Sequence, residues 1–157
     1  MKKLLYLLIL QCLASWANAQ NIEAYTIFNS KGKKVSYKKM LKAANNTKVI
    51  LFGELHNNPI SHWLQFELTN SMLNENELVL GAEMFEADNQ NEIDRYLKGE
   101  IDDKGLDSLA RLWPNHNTDY KPLLDLAKDN EIDFIATNVP RRYAKMVYRG
   151  GFESLDT

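Results

Sequence analysis

Apolar and polar positions along the chain follow two patterns, and each predicts a different element. Residues 49–53, Val-Ile-Leu-Phe-Gly, are apolar without alternation, which is typical of a strand buried on both faces of a parallel sheet. Residues 78–82 and 133–137 are two further β-prone runs of the same length. Between the runs, apolar residues recur at helical spacing, as from Leu64 to Leu68 to Met72.

This succession of buried strands and helices predicts an α/β fold, with a mainly parallel sheet and helices on both of its faces. Asn58 and Pro59 predict the start of a helix, since asparagine caps helix N-termini and proline fits the first turn. Before the first buried run, residues 25–28 and 35–37 flank a turn at Gly32. They predict a small N-terminal β-hairpin.

The N-terminus carries a targeting pattern. Lys2 and Lys3 precede an apolar run over residues 4–13, and Ala17-Asn18-Ala19 follows as a small-x-small site. This order predicts a secretory signal peptide over residues 1–19 and a protein that is exported, to the periplasm or to a membrane-associated position. Cys12 lies inside the run and raises the alternative of lipid anchoring. Gln11 before it is bulkier than the small residue usual there, which favours simple cleavage.

Charge and cysteine content narrow the function classes. The chain has 157 residues and a net charge of −2, which becomes −4 once residues 1–19 and their two lysines are removed. A mildly acidic protein is not built to bind nucleic acid through bulk charge. The only cysteine, Cys12, leaves with the signal peptide, so we expect no disulfide and no thiol chemistry in the mature protein.

Polar side chains follow each predicted strand. Because ligands of an open parallel sheet bind outside the carboxyl ends of its strands, these side chains are the candidate site. They are Glu54 and His56 after the first strand, Glu83 after the second, Asn138, Arg141 and Arg142 after the third, and His62 one turn into the helix after His56.

Such a set suits three kinds of chemistry. Carboxylates and an imidazole can bind a metal ion and lower the pKa of its water, or act directly as general base and acid. Arginines can bind ligand carboxylates, and haem presents two propionates together with an iron for tyrosine or histidine. Tyr143, just after the arginines, is a candidate phenolate donor.

Each residue also has a structural alternative. Glu54 can cap a helix, and Glu83 can be a helix-capping or sheet-edge acid. His56 can be a solvent-exposed loop residue, and His62 can be a helix-surface or packing residue. Arg141 and Arg142 begin a helix, where the dipole disfavours cations, so a ligand or an acidic partner is expected for them. His116, in the turn formed by residues 114–117, is expected at the surface.

Four short motifs give the sequence a family resemblance. Residues 53–59 (Gly-Glu-Leu-His-Asn-Asn-Pro), with His62 and Gln65, resemble the opening motif of the ChaN-like haem-binding proteins of the Tiki superfamily. Three later motifs, in the same order, are similar to those of that family. They are residues 83–85 with Asp88 and Gln90, Trp113 with Tyr120, and residues 138–142.

The resemblance implies an exported or lipid-anchored protein that binds haem for haem or iron acquisition. It implies haem as the cofactor, iron held by a tyrosine with a histidine from a partner subunit, and therefore Tyr143 or His56 as the candidate iron ligand. It also implies a homodimer and uptake components of the outer membrane or periplasm as partners. The haem-binding residues would be the strand-end set together with Tyr143.

The family's domain continues beyond the fourth motif, whereas this sequence stops at Thr157. We therefore expect residues 20–157 to be the N-terminal part of a single, incomplete domain of this kind. The superfamily also resembles Tiki-type metalloproteases and erythromycin esterases, which leaves a metal-dependent hydrolase using Glu54, His56 and Glu83 as the alternative. A third interpretation is a non-catalytic, poorly folded remnant.

Overall fold

A computed structural model of the protein describes residues 23–73 and 75–155. The described residues divide into two compact units, with the boundary between Val35 and Ser36. In the first unit, β1 (Ile27–Phe28) pairs antiparallel with β2 (Lys34–Val35) across a turn in which Gly32 has a φ of 69°. The predicted hairpin is thereby confirmed, while the predicted signal peptide lies outside the described residues.

The second unit alternates helices with two strands. In chain order these are α1 (Tyr37–Ala44), α2 (Pro59–Met72), β3 (Leu80–Glu86), α3 (Gln90–Leu97), α4 (Asp103–Leu109), α5 (Lys121–Asp129), β4 (Phe134–Asn138) and α6 (Arg141–Gly150). Short turns of 3₁₀ helix lie at Ala87–Asn89 and Phe152–Leu155, and a π-helical turn lies at His116–Tyr120. β3 and β4 pair in parallel, which confirms the α/β class. No helix in the described ranges is long and apolar enough to cross a membrane.

The start of α2 follows from Asn58 and Pro59, as the sequence predicts. The side-chain oxygen of Asn58 accepts hydrogen bonds from the backbone N–H groups of Ile60 (3.0 Å) and Ser61 (3.3 Å). Two of the four N–H groups that a helix leaves unpaired at its first turn are thereby satisfied. This cap fixes the point at which the loop containing Glu54 and His56 enters the helix.

Replacing Asn58 by alanine is expected to lower the free energy of unfolding by about 1 kcal/mol, because both capping bonds are lost. The matched control is Asn57→Ala, since Asn57 is exposed and caps no helix; its effect should stay within about 0.5 kcal/mol. Urea denaturation of the two variants measures the difference. Equal stabilities would show that the cap contributes nothing to the fold.

The main core lies against one face of the sheet. Ala82, Phe134 and Ala136 of that face are buried beneath α3 and α5, whose side chains Ile93 and Leu124 are fully buried. The opposite face carries Gly81, Glu83, Ile135 and Thr137, all of them exposed. The core therefore holds β3 and β4 from one side and fixes where their carboxyl ends lie.

β3 contains an irregularity that changes which carboxylate reaches the strand end. The register runs from Leu80 opposite Phe134 to Ala82 opposite Ala136, and then shifts so that Glu86 lies opposite Asn138. Because of this bulge, the neighbouring residues Phe85 and Glu86 are both buried. The prediction that the strand ends before Glu83 is therefore wrong, since Glu83 lies within β3 and is exposed.

The predicted strand over residues 49–53 is not formed. The segment carries no strand hydrogen bonds, and Val49 and Leu51 are 74% and 93% exposed. The prediction of a strand buried on both faces is therefore wrong for this structure. The physical reason is that β3 pairs with β4 alone among the described strands, so no neighbour covers the segment.

Candidate functional site

The carboxylate of Glu54 is the centre of a polar cluster. Its side chain is only 6% exposed. Oε2 accepts a hydrogen bond from Gln65 Nε2 (2.7 Å) and Oε1 accepts one from the Tyr120 hydroxyl (3.0 Å). Gln65 lies on α2 and Tyr120 at the end of the π-helical turn, so two separate elements fix one carboxylate. Buried charge of this kind is tolerated when it is well hydrogen-bonded.

His56 is oriented by the same carboxylate. Its Nδ1 lies 3.2 Å from Glu54 Oε1, while its side chain is 52% exposed. The imidazole and the Trp113 ring pack nearly perpendicular to each other, with ring centroids 4.9 Å apart. Its backbone carbonyl accepts a hydrogen bond from Asn115 Nδ2 (2.8 Å). Since Nδ1 faces Glu54, Nε2 is the ring nitrogen left for a ligand, the arrangement in which histidines commonly bind metals.

His62 lies on the other side of Glu54 and is buried. Its Nε2 is within hydrogen-bond distance (3.2 Å) of the His56 carbonyl oxygen. Its Nδ1 lies 3.1 Å from Glu54 Oε2, but the two atoms are not aligned for a hydrogen bond. Among described residues, His62 Nδ1 is the one buried side-chain nitrogen or oxygen without a hydrogen-bond partner. His62 is therefore a buried residue in contact with Glu54, while its predicted role as a haem-binding residue stays a prediction.

Tyr120 is buried between Trp113 and His62, with ring centroids 5.9 Å and 4.9 Å away. Burial, and then the hydrogen bond to Glu54, raises the pKa of the Tyr120 hydroxyl to about 12. The hydroxyl is thus a hydrogen-bond donor at neutral pH and a poor source of phenolate. Its role in the cluster is to hold the Glu54 carboxylate.

The raised pKa of Tyr120 predicts a loss of stability in alkali. Between the ordinary pKa of 10.0 and about 12, the folded protein keeps the proton that the unfolded chain has lost. The stabilisation from the Tyr120 hydroxyl is therefore complete below pH 10 and falls as pH rises towards 12. Tyr120→Phe should flatten this decline in a denaturation series, while Tyr148→Phe, at a position 92% exposed, should not. The same alkaline slope in both variants would contradict the assignment.

A cavity of about 840 Å³ adjoins the cluster, within the range usual for small-molecule sites. Its walls are largely apolar side chains of α2, β3 and the 49–53 segment. Its polar lining includes Glu54, His56, Gln65, Tyr120 and Glu83. The cavity therefore combines an apolar wall with a carboxylate and an imidazole.

A second cluster lies at the carboxyl end of β3. Glu86 is buried and accepts hydrogen bonds from Arg111 Nε (3.1 Å) and the backbone N–H of Arg141 (2.6 Å), and its other oxygen lies 3.3 Å from Arg141 Nε. Asp88 pairs with Arg111 and with Arg142, the latter at 2.8 Å. The acidic partners expected for Arg141 and Arg142 are thus Glu86 and Asp88, and a carboxylate lies at the positive N-terminus of α6.

The predicted site residues thus fall into two groups. Glu54, His56 and Glu83 line the cavity, and His62 contacts Glu54. The other four, Asn138, Arg141, Arg142 and Tyr143, lie at the end of β4 and the start of α6, and none lines the cavity as the described residues define it. Tyr143 is 41% exposed, with the Arg142 guanidinium 4.7 Å from its ring centre.

Two residues of the second cluster, Glu86 and Arg111, were not predicted from the sequence. Glu86 follows Glu83 by three residues, and only the bulge in β3 makes it the buried carboxylate. Arg111 belongs to none of the four motifs, so no pattern pointed to it. The prediction that His116 lies at the surface is wrong. The residue is buried against Phe85, and burial lowers the pKa of its imidazole. Its surroundings come from tertiary packing, which turn composition cannot predict.

Comparison with known proteins bears on these features. A family model described as haem-binding uptake, Tiki superfamily, ChaN, matches residues 40–157. A solved structure described as cofacial heme binding to ChaN of Campylobacter jejuni is similar over 83% of this chain and 54% of that chain, with a TM-score of 0.68 and 20% identity. At that identity the likeness supports the fold alone, and the chain spans about half the length of its counterpart. No curated protein matches the sequence. Because the family model covers most of the chain, the protein belongs to the ChaN family of haem-binding uptake proteins in the Tiki superfamily.

Proposed function

We propose that this protein binds haem beside the Glu54 cluster, with His56 as the iron ligand supplied by this chain. The single observation that carries the proposal is the contact of 3.2 Å between His56 Nδ1 and Glu54 Oε1. A carboxylate on one ring nitrogen fixes the tautomer and leaves the other as a basic lone pair, which is how proteins orient imidazoles that bind iron or zinc.

The surroundings of His56 fit a haem chemically. Haem is a broad apolar ring with an iron at its centre, and it needs apolar contacts together with one or two axial donors. The adjoining cavity is lined largely by apolar side chains, and the aromatic ring of Trp113 packs against the imidazole. When bound, the iron would supply the redox and ligand-binding chemistry, while Glu54 and Tyr120 keep the imidazole in place.

Arg141, Arg142 and Tyr143 remain candidates for contact with haem, as the family resemblance implies. The two arginine side chains are 57% and 58% exposed, so donors are available beyond those used by Glu86 and Asp88. Tyr143 as an iron ligand stays a prediction. The same holds for Asn138 and Glu83 as contact residues.

The wider role in haem or iron acquisition is part of the proposal. It is supported by the family description and by the signal-peptide pattern of residues 1–19. We propose that the protein is exported, that it acts as a homodimer, and that it exchanges haem with uptake components of the cell envelope. N-terminal sequencing of protein from the periplasmic fraction would test export, with Gln20 expected as the first residue.

A metal-dependent hydrolase using Glu54, His56 and Glu83 is the alternative function. In the described part of the chain, no three His, Cys, Asp or Glu side chains are arranged to hold a metal ion. The family description supports haem as the first ligand to test. Elemental analysis of the purified protein for stoichiometric zinc or manganese would support the hydrolase instead.

Titration of the purified protein with hemin tests the proposal. We expect a saturable shift of the Soret band, and we expect Glu54→Gln to weaken binding by about 10-fold, the lower end for loss of a carboxylate that orients a ligand histidine. The matched control is Glu67→Gln on α2, outside the cluster and the cavity lining, which should bind as the wild type does. A spectrum identical to that of free hemin at every protein concentration would overturn the proposal.

A further inference from the structure

Charge is distributed unevenly along the chain. Residues 24–53 contain seven lysines and no acidic residue, whereas residues 54–157 contain 10 basic and 20 acidic residues. All five arginines lie in the second stretch, so the basic charge of the first stretch comes from lysines alone. The small net charge of the whole chain therefore results from a cationic stretch followed by a strongly anionic one.

Helix α1 carries three of these lysines on its exposed side, which we call the lysine face. Lys38, Lys39 and Lys42 are exposed, and the helical repeat places them within about 100° of arc around the helix. Among the described residues none of the three forms a salt bridge, in contrast to Lys34 and Lys121. No carboxylate of the described residues therefore neutralises the lysine face at close range.

The other side of α1 is packed against the protein. Met40, Leu41 and Ala44 form a small apolar core with Leu68 and Met72 of α2. A helix that lies in a bilayer must bury its apolar side there, and α1 could do so only by leaving α2. Any contact of α1 with a membrane is therefore made through charge at the lipid surface.

The chemistry of the lysine face fits a broad anionic surface. An ammonium group is a compact point charge and lacks the planar fork with which arginine recognises a single carboxylate or phosphate. The three side chains are also absent from the lining of the cavity beside Glu54. A bilayer that contains anionic lipids strengthens binding by about 5-fold for each lysine held near its surface.

We propose that the lysine face of α1 docks on the anionic phospholipid surface of an envelope membrane. The proposal rests on the export proposed above, since an exported protein meets such a surface, and it does not rest on haem binding. Because α1 is packed against α2, which carries Gln65 of the Glu54 cluster, docking also sets how that cluster is oriented towards the bilayer.

Sedimentation with lipid vesicles tests the docking, using protein purified from the periplasmic fraction. The protein should bind vesicles of phosphatidylglycerol and phosphatidylcholine in equal parts, and not vesicles of phosphatidylcholine alone. Salt at about 1 M should release it, because the Debye length then falls to about 3 Å. Equal binding to both kinds of vesicle, or binding that survives the salt, would overturn the proposal.

A triple variant assigns the binding to the lysine face. Lys38→Gln, Lys39→Gln and Lys42→Gln together should weaken binding to the anionic vesicles by about 100-fold, from about 5-fold for each lysine. All three side chains are exposed, so a thermal melt close to that of the wild type is expected.

The matched control removes the same charge from three other exposed lysines and should bind as the wild type does. Its substitutions are Lys98→Gln, Lys104→Gln and Lys145→Gln. If both triple variants lost binding equally, net charge alone would account for it. If neither lost binding, the lysine face would serve another partner, such as an acidic protein. Either result would overturn the proposal. Since no step uses hemin, failure of the docking is distinguishable from failure of the haem proposal.

Discussion

Replacing Glu86 by glutamine is expected to lower the free energy of unfolding by about 3 kcal/mol, the low end of the range for breaking a buried ion pair. The carboxylate is 6% exposed and serves Arg111, the backbone N–H of Arg141 and the Arg141 side chain. Glutamine keeps the size of the side chain but removes its charge. Both arginines are about half exposed, and their remaining hydration keeps the loss near the low end.

The matched control for Glu86→Gln is Glu83→Gln on the same strand. Glu83 is exposed and makes no ion pair with the described residues. Its substitution should change stability by less than about 0.5 kcal/mol. Chemical denaturation of both variants compares the same chemical change at two positions three residues apart. If the two losses were equal, the Glu86 cluster would not contribute to stability as the contacts indicate.

Replacing His56 by alanine is expected to weaken hemin binding by about 100-fold or more, because loss of the iron ligand should equal or exceed the 10–100-fold cost of losing the group that orients it. The imidazole is half exposed, and its side-chain contacts are with the Glu54 carboxylate and the Trp113 ring, so its removal should leave the fold intact. A thermal melt of His56→Ala close to that of the wild type would verify this.

The matched control for His56→Ala is Asn57→Ala, which changes the next exposed residue of the same loop. It should bind hemin with wild-type affinity. If His56→Ala also bound hemin as the wild type does, His56 would not be the ligand, and Tyr143 would become the residue to vary. If both variants lost binding equally, the effect would belong to the loop rather than to the imidazole.

Much of the fold could be predicted from local patterns in the sequence. The start of α2 depends on the capping residue Asn58 and on Pro59 in the first turn, which act over one turn of chain. The N-terminal hairpin depends on the turn around Gly32. These features need no knowledge of distant contacts, and the structure confirms them.

The features that could not be predicted depend on contacts between distant parts of the chain. The bulge in β3 breaks the alternation of buried and exposed side chains along the strand. The sequence pattern therefore indicated Glu83 as the carboxylate at the strand end, whereas Glu86 is the buried carboxylate there. Residues 49–53 have the composition of a buried strand, but burial also requires a neighbour. The pairing of Arg111 with Glu86 spans 25 residues, and nothing in the local sequence marks it.

Only the part of the candidate site that depends on local sequence could be predicted. Glu54, His56 and His62 lie within nine residues of one another, so one loop and one helical turn bring them together. Arg141 and Arg142 were expected to converge on them from another strand. In the structure they pair instead with Glu86 and Asp88 at the end of β3.

Chemical rescue of His56→Gly by free imidazole tests the central claim most directly. If His56 holds the haem iron, the variant should show a weakened and displaced Soret band, and added imidazole should restore the wild-type spectrum by occupying the vacated space beside Glu54. Asn57→Gly should need no rescue. A wild-type Soret band in His56→Gly without imidazole would contradict the assignment of His56 as the haem ligand of this chain.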